Sequence, residues 1–220
     1  MVPPLAPAPS SILLPASPWA GALALDWLLA PGQRAGGTQL ALPQQGLGGD
    51  NPLRWWAAGT YGGALRRRLL RLRRRPDHQA MASLVIGLAS ALRSEPITAR
   101  RRVLLVPVAS WKRQANPLPR LLASCLGRQL GWPVSDLLRR SRPVLGQHHL
   151  GRELRFANQA GAFRSAASAR QQAGPRPVVL VVDDILTTGA TALAAQDALR
   201  ASGWRVAGLA CLARTPRTSP

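Results

Sequence analysis

From Val178 to Val182 the chain is apolar without a break, and four of the five residues are valine. Such a run fits a strand covered on both faces, the kind parallel sheets contain. VLLVPV, Val103 to Val108, repeats the pattern, and Val206 to Leu212 supplies a further strand. Elsewhere the apolar period is helical. Tyr61, Leu65, Leu69 and Leu72 fall on one side of a helix, with Arg67, Arg71 and Arg74 on another. Met81, Leu84, Val85, Leu88 and Leu92 predict a second helix from about Gln79 to Leu92, and a third covers Leu118 to Leu130. After the 178–182 run, Ala192, Ala195 and Leu199 share a helix face while Gln196, Asp197 and Arg200 look outward. Strands alternating with helices predict an α/β fold built on a parallel sheet.

The flanks lack these periods. Residues 1–18 are rich in Pro, Ala and Ser, and Trp19 to Ala30 is a short amphipathic helix candidate. Residues 31–52 are dense in Gly, Pro and Gln, and 141–160 read as a polar loop with helical fragments. The expected division is a disordered or loosely packed region over 1–52, one domain over 53–214, and a tail over 215–220.

Charge changes the picture. Lys and Arg number 29 against 9 acids, a net charge of +20 over 220 residues, so polyanions are the expected partners. Lys112 is the single lysine. Arginine over lysine fits a biased genomic base composition, which leaves the scarcity of acids unexplained. The two cysteines, Cys125 and Cys211, lie far apart in apolar surroundings with no CxxC, which provides neither a disulfide framework nor a zinc site of usual spacing. They read as packed thiols of a reducing compartment. The Trp19–Ala30 stretch is interrupted by Asp26 and is shorter than the roughly 20 residues of a membrane span. It also follows prolines rather than a basic start. A cytoplasmic protein is expected.

The chemistry concentrates after the valine run, where the chain reads Asp183-Asp184, then Thr187-Thr188-Gly189-Ala190-Thr191, then a helix. Ligands of open α/β sheets bind outside the strand carboxyl ends, and a helix N-terminus offers N–H groups to an anion. A phosphate suits the Thr/Gly loop. The two carboxylates would repel it, so they are better matched to hydroxyls of the same ligand, which a sugar phosphate supplies. The stretch resembles the 5-phosphoribosyl-1-pyrophosphate (PRPP) signature of type I phosphoribosyltransferases. It is not a Walker loop, because Gly-Lys-Ser/Thr is absent.

The middle of the chain narrows the resemblance. VLLVPVASWKRQANP is similar to a VPVP…RGFNQ segment of the ComF family, and RRSRPVLGQHHLGRELRFANQAGAF to its RR…Q…R…N…F segment, matching Gln147, Arg152, Arg155, Asn158 and Phe163. The order holds from about Tyr61 to Arg214. The resemblance implies a phosphoribosyltransferase-like parallel sheet flanked by helices. PRPP or ribose 5-phosphate would be held by Asp183, Asp184, Thr187, Thr188, Gly189, Ala190 and Thr191, with Mg²⁺ accompanying the pyrophosphate. Lys112 and Arg113 are candidates to meet that pyrophosphate, and Arg152 a weaker one. If phosphoribose is transferred to an acceptor, which the sequence does not mark, Asp183 and Asp184 are the catalytic candidates; a regulator that senses PRPP without turnover is the other alternative. The family further implies a role in natural transformation, handling single-stranded DNA with a helicase-like partner.

Two departures stand out. Family members often begin with a small zinc module, and here Leu28 to Arg34 contains no cysteine, so no zinc is expected. Arg113-Gln114-Ala115-Asn116-Pro117 keeps Arg and Asn of RGFNQ and loses the rest. His148 and His149 lack the helical spacing of a metal pair. For nucleic acid, Arg67, Arg71 and Arg74 form a stripe with no acid beside it, and Trp55 and Trp56 just upstream are either stacking platforms or buried side chains.

Overall fold

The computed structural model describes residues 40–96, 102–110, 116–144, 152–169 and 175–216. The Trp19–Ala30 helix candidate, Lys112, Arg113, Gln147, His148 and His149 lie outside these residues. The valine run forms an interior strand of a five-stranded sheet. Its strands are β1 (Leu47–Gly49), β2 (Trp55–Thr60), β3 (Val103–Pro107), β6 (Val178–Leu186) and β7 (Arg205–Arg214), in the order β1-β2-β7-β6-β3. All pairs are parallel except β1 with β2. This is the expected α/β architecture of a mostly parallel sheet flanked by helices.

Alternation along the strands divides the core into two layers. Val178, Leu180 and Val182 of β6 and Leu105 of β3 face one layer of helices: α1 (Gly63–Arg74), α2 (His78–Leu84), α3 (Ile86–Ser94) and α4 (Leu118–Leu130). Val179 and Val181 of β6, Leu104 and Val106 of β3, and Leu209 and Cys211 of β7 face the other. That second layer contains α6 (Ala190–Ala201) and a ribbon of two short strands, β4 (Leu138–Arg140) and β5 (Phe163–Ser165). α5 (Arg152–Gln159) packs on α6. Cys125 and Cys211 are both buried, one in each layer.

Helix ends follow local chemistry. α1 buries Leu65, Leu69 and Leu72, carries Arg71, Arg73 and Arg74 in its last turn, where cations suit the dipole, and is followed by Pro76. Asp77 caps α2 by accepting from the N–H groups of Gln79 and Ala80 at 2.8 and 3.0 Å. α4 ends at Gly131 in the left-handed region, φ 70°.

Three expectations need correction, and two strands of the five-stranded sheet were not foreseen. The single helix over Gln79–Leu92 is broken at Val85, whose φ of −98° and ψ of 2° turn α2 into α3. Gln196, expected outward, is buried beside Ala195. WWAAGT forms a strand that its small residues concealed; the 141–160 region, expected as a polar loop with helical fragments, carries α5 and lies between the ribbon strands. The valine strand does not stop at Val182 but continues to Leu186, so both acids lie inside it. Leu47–Gly49 adds a strand within the span that showed no period.

The chain leaves β3 toward α4 in one layer and leaves β6 toward α6 in the other. The carboxyl ends of these neighbouring strands therefore form a topological switch point, where α/β sheets open a crevice.

Candidate functional site

β3 accompanies β6 only as far as Pro107, paired with Val182. Beyond it β6 keeps β7 as its neighbour, with Asp183 opposite Cys211 and Leu186 opposite Arg214. The two acids thus occupy the stretch where β3 has ended. Consecutive strand residues point to opposite faces, and the partners of the acids follow that division.

Asp184 is 5% exposed and is enclosed by donors. Its Oδ2 accepts from Arg73 Nε at 3.1 Å, Arg73 Nη2 at 2.5 Å and Asn116 Nδ2 at 2.9 Å. Arg73 comes from the end of α1 and Asn116 from the approach to α4, so this carboxylate faces the four-helix layer. Burial lowers the affinity of the Arg73 guanidinium for its proton, but the charge and hydrogen bonds of Asp184 outweigh it, and the net shift is upward.

Asp183 is half-buried and turns to the layer of the ribbon. Its Oδ1 accepts the N–H of Asp184 at 2.8 Å. Burial, reinforced by the charge of Asp184, holds its pKa well above the ordinary carboxylate range. Arg140 of β4 stands in the same layer, its guanidinium lowered by burial and partly restored by the field of Asp183. It lies over the Phe163 ring at 4.1 Å and donates to the Ala109 carbonyl at 3.0 Å and to Gln159 Oε1 at 3.1 Å. Burial likewise pushes the Cys211 thiol up, which marks it as an unreactive packed thiol.

Past the acids the chain turns through Thr187, Thr188 and Gly189 into α6. Gly189 has φ of +88°, and a Cβ there would fall 2.2 Å from Pro52 Cγ, so no other residue fits. Arg214, 9% exposed at the end of β7, donates Nη1 to the Leu186 carbonyl at 3.0 Å and to the Thr187 carbonyl. In trans peptides this turns the N–H groups of Thr187 and Thr188 the other way. Among the described residues the N–H groups of Thr187, Thr188 and Gly189 donate to no backbone carbonyl. Ala190 N–H makes a long contact of 3.4 Å with Thr188 Oγ1.

The structure therefore brings Asp183, Asp184 and the 187–191 loop to one end of the sheet. Arg67, Arg71 and Arg74 are exposed along α1, and none is within ion-pair distance of an acid among the described residues. Of the two upstream indoles, Trp56 is 2% exposed and donates Nε1 to Glu95 at 2.9 Å, which removes it as a stacking platform. Trp55 is half-buried beside Arg214, 5.6 Å from ring centroid to guanidinium.

Sequence reasoning missed Arg73, Arg140 and Arg214. The signal for Arg73 was present, because Leu65, Leu69 and Arg73 are spaced four apart and put it in line with the buried side of α1. Arg214 directly follows the apolar run of β7, as Asp183 follows that of β6. Arg140 stands in the RR that opens the segment similar to the ComF family, but nothing in a three-residue strand marked it as turned inward.

No protein-family model matches the chain, and no curated protein matches it. Solved structures similar to it include orotate phosphoribosyltransferase from Aeropyrum pernix, with 21% identity, 79% of this chain and 76% of that chain covered, and a TM-score of 0.38. Adenine phosphoribosyltransferase from Leishmania donovani gives 17%, 64%, 54% and 0.34, and that from Leishmania tarentolae 16%, 66%, 74% and 0.37.

The raised pKa of Asp183 has a consequence for stability. The folded chain holds this proton more tightly than the unfolded chain, so stability falls as pH rises from the ordinary carboxylate range toward the raised folded value. Asp183→Asn is expected to melt higher than wild type near neutral pH and to lose that part of the decline. Melting curves between about pH 4 and pH 8 check this, spanning the ordinary carboxylate and histidine ranges. A variant that melts lower throughout would show the carboxylate to be stabilising instead.

Proposed function

We propose that this chain binds a 5-phosphorylated ribose, PRPP above all, in the crevice at the carboxyl ends of β3 and β6. The observation that carries the reading is the Thr187–Gly189 segment, whose amides donate to no backbone carbonyl among the described residues while Arg214 draws back the carbonyls of Leu186 and Thr187. Such amides at the start of a helix suit a phosphate dianion. Thr187, Thr188 and Thr191 add hydroxyl donors, and the buried Arg214 adds positive charge behind the loop.

The two acids take different roles in this reading. Asp183, half-buried and reluctant to ionise, accepts hydrogen bonds from ring hydroxyls, and those bonds favour its charged form. Asp184 is already engaged by Arg73 and Asn116 and fixes the strand end rather than the sugar. Lys112 and Arg113 are assigned to the pyrophosphate.

Mg²⁺ fits as a cation carried by the ligand. Among the described residues no three metal-ligating side chains gather, and Asp183 offers one hard oxygen, which suits an ion held mainly by phosphate oxygens and water. When bound it neutralises pyrophosphate charge. If transfer takes place, the C1–O bond of PRPP breaks with oxocarbenium character, pyrophosphate departs and an acceptor forms the new bond to C1. The part of this chain is then to hold the phosphate, orient the sugar through Asp183 and stabilise the departing charge. Pyrophosphate release in the presence of a panel of nucleobases distinguishes a transferase from a protein that only binds PRPP.

PRPP or ribose 5-phosphate with Mg²⁺ at millimolar concentration is expected to raise the melting temperature by mass action. Replacing both acids by Asn should abolish the shift. An unshifted wild type overturns the reading.

A second reading, single-stranded DNA handling in natural transformation with a helicase-like partner, draws support from the ComF resemblance and from the exposed row Arg67, Arg71 and Arg74. Arginines along a helix follow a phosphate backbone without reading sequence. Changing all three to Gln should flatten the plot of log affinity against log salt by about two units, at about 0.7 per lost contact on single strands. An unchanged slope reduces the row to a solubilising surface.

A further inference from the structure

The β4–β5 ribbon has a second side that the ribose-phosphate reading does not use. In its antiparallel register Arg139 stands directly opposite Arg164, and both are exposed. Like charges facing each other across a strand pair destabilise it. Among the described residues no carboxylate offsets them. Asp136 pairs with Arg120, Asp50 and Glu95 with Arg54, and Asp184 with Arg73. Nearby Arg142 is occupied differently, donating to the carbonyls of Pro143, Asn158 and Ala160.

The ribbon is held firmly enough to keep the two cations together. On its inner side Arg140 covers Phe163 and is bonded to Ala109 and Gln159, while Leu138 and Phe163 are buried in the second core layer. The backbone cannot slide to separate Arg139 from Arg164 without withdrawing these groups. Because Ala109 lies just beyond β3, the ribbon flanks the carboxyl-end crevice from the layer opposite to α1.

We propose that the outer face of the β4–β5 ribbon is a contact site for the phosphate backbone of a single-stranded nucleic acid, with Arg139 and Arg164 as the paired phosphate ligands. A guanidinium presents a fork of donors that matches phosphate oxygens, and two of them about 5 Å apart at Cβ, as in any directly opposed strand pair, reach one phosphate or two neighbouring ones. A protein partner would call for an apolar anchor, and none of the large exposed apolar side chains among the described residues, Ile86, Val134 and Leu154, belongs to the ribbon. Backbone phosphates require charge alone. With the arginines of α1 on the other side, a strand held at both places runs past the crevice. This assignment rests on the nucleic-acid reading given above and adds a location to it.

The test uses the full chain and its Arg139→Gln/Arg164→Gln variant, measuring fluorescence anisotropy with a labelled oligothymidylate over a salt series, together with melting temperature. The variant is expected to lose about 1.4 units of salt slope, about 0.7 for each single-strand contact. It should melt no lower than wild type, since a repulsion has been removed. Wild type that fails to bind at low salt overturns the nucleic-acid reading and this site with it. Wild type that binds beside a double variant of unchanged slope overturns the ribbon site alone. A reduced slope accompanied by a lower melting temperature traces the loss to folding and likewise overturns the site.

Discussion

A carboxylate inside a parallel strand is the constraint around which the described fold is arranged. Asp184 sits in β6 at 5% exposure, where an uncompensated charge would cost several kcal/mol. Its partner Arg73 lies 111 residues earlier, at the end of α1, and Asn116 at the approach to α4. Three segments that are distant in sequence are thereby tied to one point at the end of the sheet. Breaking either partner away would leave charge in a closed environment, so α1 and the start of α4 are held in register with β6 more strictly than apolar packing requires. The loop that begins three residues later inherits that fixed position.

Against this background the arginines of the chain separate by environment rather than by sequence. Arg73 and Arg214 are drawn inward to satisfy a carboxylate and two loop carbonyls, and Arg140 is drawn inward to tie the ribbon to the end of β3. Each meets acceptors that replace water, which is what allows a cation to be buried at all. Arg67, Arg71, Arg74, Arg139 and Arg164 remain outside. The large positive charge is thus two populations, one that organises the crevice and one that surrounds it.

The legibility of the sequence follows the same division. Strands β3, β6 and β7 were readable because burial on both faces leaves continuous apolar runs, and α1 and α4 because one buried stripe imposes the helical period. The acid pair and the Thr/Gly loop were readable because packing alone gives no reason for them. Trp55–Thr60 was not, since Ala57, Ala58 and Gly59 are small residues that carry little periodic signal, although pairing with β7 makes them a strand. The break at Val85 depends on how α2 and α3 pack on α4, a tertiary matter that the continuous apolar pattern from Met81 to Leu92 conceals. The roles of Arg73, Arg140 and Arg214 depend on partners 111, 31 and 27 residues away, at Asp184, Ala109 and Thr187, and no local pattern encodes such distances.

The two adjacent acids show how one strand supports two opposed electrostatic states. Asp184 has its charge matched by Arg73 and a further hydrogen bond from Asn116, while Asp183, one residue earlier and on the other face, faces burial and the charge of Asp184, with the Asp184 N–H as its hydrogen-bond donor among the described residues. The matched acid stabilises the sheet end, and the unmatched one weakens it near neutral pH. A fold selected for stability alone would replace Asp183 by an apolar residue, as at Val179 and Val181 of the same strand face. A ligand that donates hydrogen bonds would reverse that deficit, because its donors favour the charged carboxylate that burial disfavours. The deficit at Asp183 is therefore the physical counterpart of the Thr187 to Gly189 amides, which donate to no backbone carbonyl among the described residues. One short stretch of chain thus offers an acceptor at Asp183 and donors at Thr187 to Gly189.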